Sequence, residues 1–119
     1  MTSRTTSRIV FGVVIVDVSG RLSVLDFTLR DQLQRFLEAG HRAFVLNLSN
    51  ISFLDSFGLG QLISFWTSIQ RAGGKMTLLR PTAQVQKLLR STKLDTVFMV
   101  WADEQHAIAG VRQGFTASA

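Results

Sequence analysis

Hydrophobic and polar positions repeat along this chain with two periods that take turns. Ile9–Ser19 is strongly β-branched, with Val14, Val16 and Val18 alternating against Val13, Ile15 and Asp17. That period of two predicts a nearly buried strand, entered through a bend at Phe11-Gly12, with Gly20-Arg21-Leu22-Ser23 as a turn-like exit. Leu25, Leu29, Leu33, Phe36 and Leu37 then recur at helical spacing, and Gly40 stands where a helix C-cap belongs. Ala43–Leu48 alternates again and predicts a second buried strand, followed by a short polar link, Ser49-Asn50.

The pattern after that link predicts a helix from about Ser56 to Arg71, closed by Ala72-Gly73-Gly74. On its wheel Leu59, Leu62, Ile63, Trp66 and Ile69 form the core face, Phe65 sits at the flank, and Phe57 lies nearly opposite. Lys75–Arg80 reads as a strand closed by the single proline, Pro81, and Thr82 as the cap of a third helix with Val85, Leu88 and Leu89 on one face. Val97–Trp101 reads as the last strand, and Asp103 starts a last amphipathic helix through Ala107, Ile108 and Val111; Thr116–Ala119 is expected to fray. Alternating strands and helices predict an α/β domain whose mixed or parallel sheet is covered by helices. Val14, Val16, Val45, Leu46, Leu48, Leu78 and Leu79 are the expected core of that sheet.

Composition narrows the function. The 119 residues suit one domain, with its core over about residues 9–114, large enough to stand without metal or disulfide support. The chain has no cysteine, which excludes disulfides, thiolate chemistry and Cys-ligated metals. No apolar run approaches the roughly 20 residues that span a bilayer. Basic residues precede an apolar stretch at the N-terminus, but Asp17 interrupts it, so it reads as a first strand or hairpin and the expected location is cytoplasmic. Net charge is +5, and no acidic residue lies between Asp55 and Asp95, an interval holding Arg71, Lys75, Arg80, Lys87, Arg90 and Lys93. A basic face can meet nucleic acid, anionic lipid or an acidic protein. Without a recognition-helix motif these residues read as solvated helix and loop positions, and no direct nucleic-acid contact is expected.

The densest chemistry lies in Val45–Gly60, VLNLSNISFLDSFGLG. A catalytic serine on a strand-to-helix elbow needs glycine two positions earlier, where this chain has Leu54, and no spacing brings His41 or His106 to Ser56 as a base. Gly58-x-Gly60 lacks the third glycine of a dinucleotide fingerprint, which would fall at Ile63. Gly73-Gly74-Lys75 precedes a strand and is no P-loop. The remaining reading is Ser56 as a modified residue. Asp55 is placed to cap the helix and Ser56 to point outward from its first position, where a phosphate gains about 0.3–1 kcal/mol from the helix dipole. Such a phosphate adds up to about two negative charges without unfolding the domain, a switch of binding. Serine is also simply common at helix starts. Phe57 beside it is either a partner anchor or a residue packed on the preceding loop.

At these residues the chain resembles the STAS family, specifically the bacterial anti-sigma factor antagonists. The resemblance runs from about Val13 to Trp101 through Val18-Ser19-Gly20-Arg21-Leu22, VLNLS, FLDSFGLG, RAGGKMTLL and VQKLLRSTKLDTVF. It implies a mostly parallel, mixed sheet of four to five strands covered by about four helices. It also implies a regulatory cycle and no enzymatic activity: the unmodified antagonist binds an anti-sigma serine kinase of the GHKL type and frees a sigma factor. The kinase phosphorylates the serine matching Ser56, and a serine phosphatase resets it. The corresponding partner-binding positions are Asp55, Ser56, Phe57, Gly58, Ser23 and Asp26, and no cofactor is implied. Two positions depart from the family pattern: Ser23 stands where many members have an acid, with Asp26 three residues on, and Phe57 replaces a small residue after the phosphoacceptor. The alternative is a STAS scaffold without phosphorylation, such as the small cytoplasmic subunit of a lipid-transport ATPase.

Overall fold

The computed structural model describes residues 4–22 and 28–116. Strand β1 (Arg4–Val10) and strand β2 (Val13–Leu22) form an antiparallel hairpin; helix α1 (Thr28–Glu38), strand β3 (Ala43–Leu54), helix α2 (Ser56–Arg71) and strand β4 (Lys75–Leu79) follow. Helix α3 (Ala83–Ser91), a 3-10 turn (Leu94–Thr96), strand β5 (Val100–Trp101) and helix α4 (Glu104–Thr116) complete the chain. The sheet order is β1-β2-β3-β4-β5, with β2 to β5 mutually parallel. This is the mixed, mostly parallel five-stranded sheet with four helices that the sequence led one to expect.

The topology decides which face each helix covers. Each parallel step advances one strand in the same direction, and right-handed crossovers then deliver α1, α2 and α3 to one face. Leu29, Leu33, Leu59, Leu62, Phe65, Ile69, Val85 and Leu89 from these helices pack there on Val14, Val16, Phe44, Leu46 and Leu78. Among the described residues only α4 reaches the other face, where Ala107, Ile108 and Val111 meet Val13, Ile15, Ala43, Val45 and Leu79. All seven expected core residues are buried. Strands covered on both faces lose strict alternation, which is why Val13–Val16 and Phe44–Leu46 are unbroken apolar runs.

Five local expectations need correction. Ile9–Ser19 is not one bent strand: Phe11 (φ 51°) and Gly12 (φ 79°) both lie in the left-handed region and close a two-residue hairpin between the paired Val10 and Val13. Gly20–Leu22 does not leave the sheet, because Gly20 (φ 88°) absorbs a register shift and β2 continues to Leu22. Ser49-Asn50 is likewise inside β3, which runs on to Leu54 beside β2. On α2 it is Phe65 that is buried and Ile63 that is exposed, since the helix meets the sheet slightly rotated from the wheel's apolar centre. The last strand is also shorter than Val97–Trp101, because Leu94–Thr96 forms a 3-10 turn and pairing starts at Val100.

Candidate functional site

The carboxyl ends of β2 and β3 stand side by side and hand the chain into α2. Arg21 pairs in register with Phe53, and Leu22 with Leu54. Asp55 then takes an extended conformation (φ −103°, ψ −175°) and caps α2: the Gly58 N–H donates to its Oδ1 at 2.9 Å. The capping carboxylate engages one of the first-turn amides left without an intrahelical acceptor. Ser56 is the first residue of the helix and is exposed. Phe57 is 60% exposed, so the ring does not pack away against the preceding loop.

Gly58 is buried, and its reason is contact. A Cβ built there falls 2.2 Å from the Leu22 carbonyl oxygen and 2.7 Å from Leu54 Cδ1. The first turn of α2 therefore rests directly on the end of β2, which fixes the height of Ser56 and Phe57 above the sheet. Gly60 has open space around the equivalent point. Beside the helix start, the Arg21 guanidinium lies 4.3 Å over the Phe53 ring, an aromatic–cation pair at the same end of the sheet. That pair went unread in the sequence, because residues 32 apart become neighbours only through the β2–β3 register. Ser23 and Asp26 lie outside the described residues.

A polar network braces β1, β2 and β3 on the face shared with α4. Arg8 binds Asp17 (Nε to Oδ2, 3.1 Å) and Glu104 (Nη1 to Oε2, 2.9 Å), joining the hairpin to the first turn of α4. Asn47 Nδ2 donates to Asp17 Oδ1 at 2.8 Å, and Ser49 Oγ donates to Asn47 Oδ1 at 2.8 Å. Burial pushes the Asp17 carboxyl up, but hydrogen bonds from Arg8 and Asn47 and the Arg8 charge together outweigh it and hold the group below the usual carboxylate range. The hydrogen bond from Arg8 likewise holds Glu104 low. The two histidines are engaged elsewhere. His41 meets the edge of the Phe36 ring at the far end of α1, and His106 binds Asp103 at the start of α4. The arrangement offers an exposed hydroxyl at a capped helix start, an exposed aromatic beside it and a nearby cation, the makings of a docking and modification surface.

A five-stranded mixed sheet with three helices on one face, one on the other and a serine opening the second helix defines a layered α/β domain. The STAS domain model matches residues 4–107, and the chain belongs to the STAS domain family. A Thermotoga maritima relative is 32% identical over 78 residues, 66% of this chain and 69% of its own. The anti-sigma F factor antagonist of Paenibacillus polymyxa is 29% identical over 102 residues, 82% of this chain and 85% of its own. The anti-sigma factor antagonist SpoIIAA, solved in unphosphorylated and phosphorylated forms, shares the fold with TM-scores of 0.71 and 0.72 at 22% identity. Those alignments cover 92% and 91% of this chain and 98% and 99% of the solved ones.

Proposed function

We propose that this chain is an anti-sigma factor antagonist whose binding is switched at Ser56. Its unphosphorylated form binds an anti-sigma serine kinase of the GHKL type in the cytoplasm and thereby frees a sigma factor. Transfer of the γ-phosphoryl group of ATP to the Ser56 hydroxyl, with ADP leaving, weakens the complex, and a serine phosphatase removes the group. The observation that carries this reading is the exposed Ser56 at the first position of an Asp55-capped helix, beside an exposed Phe57, in a chain with anti-sigma antagonist relatives.

The physics explains why such a switch acts on binding alone. A phosphate at the first helical position is favoured by the dipole, so the fold tolerates it, while its charge must be desolvated at any interface centred on Phe57. Ser56→Asp is therefore expected to fold and bind the kinase poorly, and Ser56→Ala to bind and resist release. Phe57→Ala should weaken binding by more than about 1 kcal/mol with little change in Tm. The deciding assay incubates the protein with its cognate kinase and ATP and maps phosphate by mass spectrometry. An unmodified Ser56, with binding insensitive to Ser56→Asp, removes the switch and leaves the scaffold alternative.

A further inference from the structure

The end of the domain opposite Ser56 carries an unusual residue at an unusual place. The hairpin loop Phe11-Gly12 has φ of 51° and 79°, the geometry of a type I′ turn, whose first position is ordinarily Asn, Asp or Gly. An aromatic side chain there is conformationally costly, since left-handed backbone is disfavoured for residues with a bulky Cβ substituent. The ring gains little by burial beyond the Arg112 guanidinium over it: Phe11 is 76% exposed, the most exposed large hydrophobic among the described residues. Strain kept for so little packing return points to use.

The surroundings define the use. Three more exposed apolar residues flank this end: Ile9 (53%) next to the tip, and Val97 and Met99 (60%) in the segment leading into β5. The topology brings the amino ends of β2 to β5 and the carboxyl ends of all four helices to this same pole. Five exposed basic residues come with them: Arg71 ending α2, Lys75 opening β4, Arg90 ending α3, Lys93 after it, and Arg112 in α4. Arg112 lies over the Phe11 ring at 5.6 Å, and Lys75 shares a small cavity with Met99. Glu38 and Asp95 are the acids at this pole; the other five among the described residues lie toward the opposite end. The helix dipoles absorb part of this charge. They have no bearing on why aromatic and aliphatic side chains stand exposed among the bases.

We propose that this pole is a docking surface for an anionic lipid bilayer, with Phe11 as the inserted side chain and Arg71, Lys75, Arg90, Lys93 and Arg112 facing the headgroups. A protruding aromatic ringed by long basic side chains fits an interface where apolar and anionic layers meet, the ring entering while the bases keep their charges at headgroup level. A second copy of the chain is disfavoured, because two such poles repel. Since Ser56 lies at the other end of the sheet, a membrane-bound molecule keeps its kinase surface free.

The test uses the full chain and co-sedimentation with vesicles of phosphatidylcholine containing 30% phosphatidylglycerol, against pure phosphatidylcholine. Binding is expected to the anionic vesicles at low salt and to be lost at high salt and on neutral vesicles. Arg71→Gln with Lys75→Gln should weaken it about 25-fold, at about five-fold per charge. Phe11→Asn should weaken it about ten-fold while raising Tm, because Asn accepts the left-handed turn, so loss of binding cannot be read as loss of fold. Ser56→Asp should bind vesicles like the parent, which separates this surface from the switch. No binding to anionic vesicles at low salt overturns the proposal. So does vesicle binding that Phe11→Asn leaves unchanged and single-stranded RNA displaces, since the pole is then a general polyanion surface.

Discussion

The two glycines of Gly58-Leu59-Gly60 should respond in opposite directions to the same added methyl group. At position 58 the new Cβ stands 2.2 Å from the Leu22 oxygen, 2.9 Å from the Leu22 carbonyl carbon and 2.7 Å from Leu54 Cδ1. Two of these atoms are backbone in β2 and cannot rotate aside, so α2 must lift by about 1 Å to restore contact distances. Overpacking of this kind costs about 1–3 kcal/mol, and the backbone obstacle puts it near the top of that range. The helix-propensity gain of Ala over Gly returns about 0.5–1 kcal/mol, leaving a net loss of about 2 kcal/mol. At position 60 nothing lies within 4 Å, so only the propensity gain remains. For a domain of this size 1 kcal/mol moves Tm by about 4 °C. Gly58→Ala should therefore melt about 8 °C below the parent and Gly60→Ala about 2–4 °C above it, measured by thermal unfolding followed at 222 nm. Equal melting temperatures for Gly58→Ala and the parent would refute the close approach of α2 to β2. A drop for Gly60→Ala as large as for Gly58→Ala would show that both glycines serve backbone conformation instead of contact.

Asp55→Ala should lose about 1 kcal/mol of stability by removing the cap on the Gly58 amide, whereas Asp55→Asn should lose less than half of that; equal losses would show that charge, not the hydrogen bond, is what matters. The Arg8 network sets an acid limit. Asp17 and Glu104 titrate below their unfolded values, so their contribution is complete only above about pH 5, past both unfolded values, and drains as pH falls through the folded values. The parent's Tm should accordingly fall more steeply than that of Arg8→Met between about pH 5 and pH 3, and parallel curves would remove the network from the account.

Most of the fold was legible in the sequence because burial imposes period. Apolar runs of Val13–Val16 and Phe44–Leu46, helical spacing through Leu59, Leu62 and Ile69, and caps at Asp55 and Thr82 follow from local chemistry and hold in the structure. The exposed hydroxyl of Ser56 followed from Asp55 as the cap. The wheel put Phe57 off the core face without deciding whether it packs on the loop, and the structure leaves the ring exposed. What local chemistry misread is where pairing overrode composition. Ser49-Asn50 looks like a link but stays in β3, because neighbouring β2 supplies hydrogen bonds that outweigh polar side chains. For the N-terminal stretch the sequence left a strand or a hairpin open, and the structure makes it a hairpin closed at Phe11-Gly12, where antiparallel pairing forces Phe11 into a conformation its side chain resists. The Arg21–Phe53 stack, the close approach that disfavours any side chain at Gly58, and the gathering of Phe11, Met99, Lys75 and Arg71 at one pole belong to tertiary structure alone. Periodicity says which side of an element is buried; only strand register and crossover handedness decide what lies across from it, because both are settled between segments far apart in the chain.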